Sequence, residues 1–487
     1  MKNKKIKFLA IIFAVTIFCP LFLCSCGQTS ENLNCYEINA VFDEDEKTLS
    51  CEQSVTYFNN SENVLNEVCF FVYANAYQQG QKTISTAYTD KAYPNGESFG
   101  QIDFEDVEIS ENDAEFSLSE DAAILTVKLF EGLYPDESIK IDMKYCIALA
   151  NINHRLGYGD NAINFGNFFP IACVYEDGFV KNKFTTNGDP FYSEVSNFEV
   201  DISCPSDFKI ASSGTKKETV ENGIKNISCI AENVRDFCFV LSKNFQVLTQ
   251  TTGGVEVNYY FYDDELADQH LQTSVKALST FSNLFGDYPY KQLSVVQTNF
   301  CFGGMEYPNL VMINDQITDD ETLNYVIVHE IAHQWWYGMV GSNQYSEAWV
   351  DEGLTEFSTA LFFENNSEYN FDYDKVMENA TVTYKNFVGV FEKIYDKVDQ
   401  SMSRNLSEFA TEPEYVNIAY TKGMLLFDAL RNSMSDRKFF NCLKTYFEDY
   451  KFKNSSSQKL IESFSKTSHI NLEKFFNSWI DGNVVIG

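Results

Sequence analysis

The sequence predicts an all-β domain followed by an α+β domain, behind a short N-terminal leader. Three observations carry this. From Cys35 to about Gln246, apolar and polar residues alternate in short runs broken by Asn, Gly, Asp and Ser. Beyond Thr251-Thr252-Gly253-Gly254 the period changes, and Leu271, Val275, Leu278, Phe281 and Phe285 recur at spacings of three and four. The first residues carry four lysines and no acid, and then turn apolar. With 487 residues, 44% of them hydrophobic and 15% aromatic, the chain can fill more than one core. A formal net charge of −34 sets nucleic acid aside as a partner, because phosphates would be repelled.

The leader comes first. Lys2, Lys4, Lys5 and Lys7 precede an apolar run that begins at Phe8 and closes at Leu23-Cys24-Ser25-Cys26. The run is short for a stable membrane span, and its basic start fits a secretory signal. Its end resembles a bacterial lipobox, with Leu23 three residues before Cys26 and the small Ser25 just before it. That resemblance implies cleavage before Cys26 and lipidation of its thiol, and so a chain anchored in the cell membrane and facing outward. An uncleaved anchor is the alternative. Residues 1–25 are then the signal peptide and 26–34 a polar tether.

The β domain is assigned to 35–246. Ile38, Ala40 and Phe42 alternate, the acidic turn Asp43–Glu46 follows, and Leu49, Cys51, Val55 and Tyr57 continue the pattern. Further runs are Val68–Tyr73, Ile124–Leu129, Ile139–Tyr145, Phe198–Ser203 and Phe237–Leu241. They read as a large antiparallel domain. Ten cysteines follow Cys26 without a CxxC pair, most of them inside apolar stretches, so most are expected to be buried free thiols.

The second domain is assigned to 247–487. It should open with a strand pair near Val255–Tyr262 and then the Leu271–Phe285 helix, stopped by Gly286 and Pro289. Strands follow at Leu293–Gln297 and Leu310–Ile313, then a helical stretch Leu323–Met339 and a helix from Trp349. The last helix, near Asn471–Ile480, puts Leu472, Phe475, Phe476 and Trp479 on one face.

Chemistry concentrates at His329-Glu330-Ile331-Ala332-His333. Two imidazoles four residues apart share a helix face and can bind one Zn²⁺, while Glu330 between them can act on a zinc-bound water. A third ligand is required, and Glu352 stands nineteen residues after His333.

An HExxH with a Glu at that distance resembles the gluzincins. The flanking stretches resemble peptidase family M1, of the leukotriene A4 hydrolase and aminopeptidase N type. His333-Gln334-Trp335-Trp336-Tyr337-Gly338 is similar to the family's HQWxG, Trp349–Gly353 to WLNEG, Gly303-Gly304-Met305-Glu306-Tyr307 to GxMEN, and Tyr420-Thr421-Lys422-Gly423 to YxKG. Phe71–Ala76, Gly166–Pro170 and Asn187–Val195 are similar to bacterial members. The resemblance implies a saddle-like N-terminal β domain and a thermolysin-like catalytic domain. It implies one zinc per chain on His329, His333 and Glu352, with Glu330 as general base and Tyr420 at the oxyanion. It also implies that Glu306 pairs with a peptide's free α-ammonium, in a loop where Gly303, Gly304 and Met305 approach the substrate. Tyr307 departs from the family's Asn. Glu356 reads either as a hydrogen-bond partner of a zinc-binding histidine or as a solvated helix acid. The function expected is removal of N-terminal residues from peptides. A zinc endopeptidase, or a zinc-binding lipoprotein without peptidase activity, are the alternatives.

Overall fold

The computed structural model describes residues 32–369, 372–484 and 486. The expected signal peptide and Cys26 lie outside the described residues. Among the described residues no helix is long and apolar enough to cross a membrane.

The N-terminal half is built on an eight-stranded sheet. Its order is Thr215–Glu221, Ile224–Val234, Ser196–Pro205, Asn34–Asp43, Thr48–Phe58, Ser138–Ala148, Gln101–Ile109 and Asn112–Asp113. Period-two alternation buries Tyr36, Ile38, Ala40 and Phe42 while Glu37, Asn39 and Val41 face outward. The sheet is not wholly antiparallel as expected: Asn34–Asp43 runs parallel to Ser196–Pro205, with Ile38 opposite Val200. A parallel neighbour needs a long crossover, and the chain between these strands supplies it by forming most of the domain.

The second half opens on a five-stranded sheet ordered Gln246–Thr252, Val255–Phe261, Gln292–Thr298, Leu310–Asn314 and Gly304–Met305. The three inner strands are parallel, and the two edges antiparallel. Helix Ala267–Leu284 makes the crossover between Val255–Phe261 and Gln292–Thr298. Alternate residues of the inner strands enter different cores. Tyr260, Val296 and Met312 join the β-domain core, whereas Tyr259, Val295 and Val311 join the core under the helices. This sheet is therefore a shared wall, and burial on both faces explains its continuous apolar runs. Helices dominate the rest of the described chain, the last being Glu473–Ile480, with one short strand pair, Val340–Gly341 and Lys453–Asn454, among them.

One helix is shorter than the periodicity suggests. It spans Asp320–Ala332, capped by the Asp319 carboxylate, which accepts from the Thr322 amide at 2.9 Å. It does not reach Met339, because Tyr337 adopts φ 132 and the Gly338 amide turns back to the His333 carbonyl at 2.8 Å. Cys51, Cys69, Cys173, Cys204, Cys229, Cys238, Cys301 and Cys442 are buried free thiols, and Cys35 and Cys146 are partly exposed.

Candidate zinc and peptide site

The last turn of helix Asp320–Ala332 carries His329 and Glu330, and His333 caps it. The four-residue spacing brings the two Nε2 atoms to 3.2 Å. Two nitrogens on one tetrahedral zinc, each bonded at about 2.0–2.1 Å, would lie roughly 3.3 Å apart. Helix Trp349–Asn365 delivers Glu352 in its first turn, with Oε2 3.2 Å from His333 Nε2 and 3.5 Å from His329 Nε2. Ligand atoms of these three buried residues all fall within 4.8 Å of one another. Glu352 Oε2 is buried without a hydrogen-bond partner. A His-His-Glu set with an orphaned carboxylate oxygen fits zinc.

The electrostatics ask for a cation. Burial alone would raise the Glu352 carboxyl, but the positive charge of His333 and the nearby His329 imidazole outweigh it and bring it down to about 2. Burial opposes charge on His333 too, yet the carboxylates of Glu306 and Glu352 push its pKa well up. Glu330 is pushed up to about 8, first by burial and then by the charge of Glu306, against the pull of His329. His333 is oriented from behind: Nδ1 lies 2.9 Å from the Trp336 carbonyl and 3.1 Å from Thr355 Oγ1. Donation from Nδ1 to that carbonyl leaves the Nε2 lone pair facing the site.

Tyr420 sits on a π-helical turn, Asn417–Thr421, leading into helix Lys422–Asn432. Its hydroxyl donates to Glu352 Oε1 at 2.6 Å, and its ring stacks on His329 at 5.9 Å. Burial, with the Glu352 charge added, raises its pKa well above normal, so Oη keeps its proton. Single π-turns recur at functional positions because they shift the register of one side chain.

Gly303 and Gly304 line the cleft in front of the helix. A methyl on Gly304 would come 2.5 Å from Glu330 Oε1, so the missing Cβ lets this backbone lie against the carboxylate. Behind them Met305 is buried, and Arg155 Nε donates to its sulfur at 3.1 Å. Glu306 is only 3% exposed, and its Oε1 accepts from Gln344 Nε2 at 2.8 Å. Tyr307 points away from the cleft, into the β domain. Its hydroxyl donates to Asn167 Oδ1, and Asn167 Nδ2 donates to Asp236 Oδ2 at 2.6 Å. A methyl on Gly166 would strike that hydroxyl at 2.1 Å, so the bulkier residue fits because Gly166 makes room. The Tyr307 carbonyl accepts from Gln334 Nε2 at 3.0 Å, tying the loop to the turn after His333.

The cleft opens on His329, Glu330, Glu356 and Tyr420, and its far wall comes from the β domain, including Tyr77, Arg155 and Phe191. Glu356 Oε1 lies 3.5 Å from His329 Nδ1, and Oε2 accepts from Tyr325. His329 Nδ1 itself has no hydrogen-bond partner. Thr355, Gln344 and Arg155 entered no sequence-based expectation, and Asn167 entered only within the Gly166–Pro170 stretch, with no role. Of these only Thr355, one helical turn from Glu352, left a periodic trace.

Residues 269–479 match the peptidase family M1 domain. Endoplasmic reticulum aminopeptidase 2 of Homo sapiens is 24% identical over 247 residues, covering 47% of this chain and 24% of that protein. Aminopeptidase N of Lactobacillus delbrueckii subsp. lactis is 23% identical over 288 residues, covering 54% of this chain and 33% of that protein. The chain thus spans a third or less of the length of these relatives. The fold is shared with an M1 zinc metallopeptidase from Deinococcus radiodurans, at TM-score 0.66 and 15% identity, over 93% of this chain and 94% of that one. A mutant of that metallopeptidase has been solved with a Tyr-Ser-Ala substrate. Residues 269–479 of this chain thus carry the match to the peptidase family M1 domain, and both relatives named with it are aminopeptidases.

Proposed function

We propose that this protein is a zinc aminopeptidase, held at the outer face of the cell membrane by a lipidated Cys26, that releases single residues from the free N-terminus of peptides. One observation carries the catalytic part: His329, His333 and Glu352 converge within 4.8 Å, directly behind a cleft onto which Glu330 and Tyr420 open. Zinc held there supplies Lewis acidity toward the scissile carbonyl. The remaining steps belong to the chain. Glu330 takes the proton of the attacking water on its carboxylate and returns it to the leaving amine. Tyr420 Oη, which keeps its proton, donates a hydrogen bond to the carbonyl oxygen as charge develops. Glu306 receives the α-ammonium and so fixes the register at one residue. The Tyr-Ser-Ala substrate of the Deinococcus neighbour begins with an aromatic residue, and the aromatic wall of this cleft suits such a side chain.

The membrane part rests on the lysine-rich start and Leu23-Cys24-Ser25-Cys26. The deciding experiment for the activity is a panel of aminoacyl-amide substrates and their N-acetylated forms, with and without a chelator. Chelator-sensitive cleavage confined to free amines is expected. Equal cleavage of acetylated peptides, or an internal cut as first product, would refute the exopeptidase reading.

A further inference from the structure

We propose that Gln344 is a positioning residue for the amine-binding carboxylate, orienting Glu306 toward a substrate ammonium without neutralising it. The inference rests on the aminopeptidase reading above and deepens it. Gln344 begins a four-residue helix, Gln344–Glu347, and is 2% exposed. Its Nε2 donates to Glu306 Oε1 at 2.8 Å and to Asp351 Oδ2 at 2.7 Å. Both N–H groups are therefore spent on carboxylates. Flipping the amide would turn its oxygen toward two acceptors, so the chemistry fixes which atom faces them.

The backbone of Gln344 is held independently. Its amide donates to the Phe191 carbonyl at 3.3 Å, and Asn182 Nδ2 donates to the preceding Asn343 side chain at 3.2 Å. Just upstream, Val340–Gly341 pairs with Lys453–Asn454. A residue whose backbone is held in place by its surroundings can dictate a neighbour's rotamer through the bonds its side chain makes.

The neutrality of the donor matters. Among the described residues no lysine or arginine is paired with Glu306; the basic side chain near it is His333, whose ring nitrogen lies within 4.8 Å of its carboxylate, and the Gln344 amide donates to Oε1. A cationic partner would satisfy the carboxylate and compete with the substrate amine. An amide sets its direction and leaves the charge for the ligand, as preorganised recognition requires. Gln344 lies in none of the stretches that mark the zinc site, and a four-residue helix offers no periodicity to single it out.

The test compares the zinc-loaded full chain with Gln344→Met, which keeps the length and removes the donor. The probes are leucine hydroxamate and its desamino analogue, 4-methylpentanoyl hydroxamate, with dissociation constants read by calorimetry. We expect Gln344→Met to weaken the amine-bearing probe about tenfold or more, the scale of a lost hydrogen bond to a charged group, and to leave the desamino probe and the zinc content unchanged. In a Glu306→Gln background the same substitution should cost less than about twofold, because residues acting through one another are not additive. Equal weakening of both probes, or an undiminished cost without Glu306, would mean a merely structural role and would overturn the inference. If Gln344→Met does not fold, Gln344→Asn, which retracts the amide by one methylene, is read the same way. A wild-type protein indifferent to the amine would sink the aminopeptidase reading and this inference with it. A wild-type preference that survives Gln344→Met would sink this inference alone.

Discussion

Gly353 and Gly423 meet backbone to backbone: a methyl on Gly423 would lie 2.7 Å from the Gly353 Cα, and one on Gly353 2.8 Å from the Gly423 Cα. Glu352 immediately precedes the first glycine and Tyr420 stands three residues before the second. The close approach of their helices is what lets the Tyr420 hydroxyl reach Glu352 Oε1 at 2.6 Å. Gly423→Ala should force these helices apart. We expect a stability loss of about 1–3 kcal/mol, the usual cost of overpacking, together with a turnover loss of roughly tenfold or more from a misplaced group. Thermal melts and steady-state kinetics on one preparation measure both, and unchanged turnover would show that the glycine pair does not set the tyrosine.

Zinc retention should depend on the convergent side chains. His329→Ala and Glu352→Ala are each expected to hold less than about a tenth of the wild-type metal after dialysis, because each leaves the His-His-Glu set one protein ligand short. Elemental analysis reads this directly. Full loading of the His329→Ala protein would reassign the ligands.

Glu330→Gln separates metal from chemistry. The amide has the same shape but cannot accept a proton, so zinc should stay bound while kcat falls by about two orders of magnitude or more. Tyr420→Phe should lower kcat more than it raises KM, since its hydrogen bond strengthens as the carbonyl oxygen gains charge. Near-normal turnover in either variant removes that residue from the mechanism.

Cys26→Ser should release the protein from the membrane fraction or leave an unprocessed precursor, as seen by fractionation and blotting. Retention of a normally processed chain would point to a different anchor.

Asp236 gives a pH prediction away from the zinc ligands. Burial raises its carboxyl to about 8, against hydrogen bonds from the Phe237 amide and Asn167. In the unfolded chain it ionises near its ordinary value of 3.8. Between these values the folded state holds a proton that the unfolded state has lost, so this group's contribution to stability falls as pH rises from about 4 to 8 and then levels off. Asp236→Asn has no proton to lose. Its melting temperature relative to wild type should climb across that window, and a constant difference from pH 4 to 8 would contradict the burial argument.

Parts of this architecture were legible in the residues alone, for identifiable reasons. Period-two runs such as Tyr36 to Phe42 declare which face is buried, and the Leu271–Phe285 repeat declares a helix, observed as Ala267–Leu284. The parallel pairing of Asn34–Asp43 with Ser196–Pro205 was not legible, because register between strands so far apart is settled by packing. The end of the His329 helix was missed because Trp335, Trp336 and Met339 are apolar without being helical; they are buried from a turn. At the site, His329 and His333 are readable together because one helix positions both. Gln344, Asn167 and Arg155 act from loops and a neighbouring domain, where contact follows from the fold and leaves no spacing to read.

The five-stranded sheet that both cores share has a consequence for inheritance. Met305 and Tyr307 flank Glu306 yet pack with the β domain, whereas the helices bearing the zinc ligands pack on the opposite side. The loop Gly303–Tyr307 is thus a joint product of two modules. A chimera that pairs this catalytic half with a relative's saddle would keep its metal and lose its loop, unless the partner also brought a glycine at 166 and an amide at 167. Substitutions at those two positions and at Tyr307 must drift together, so in this lineage the three should change as a set or not at all.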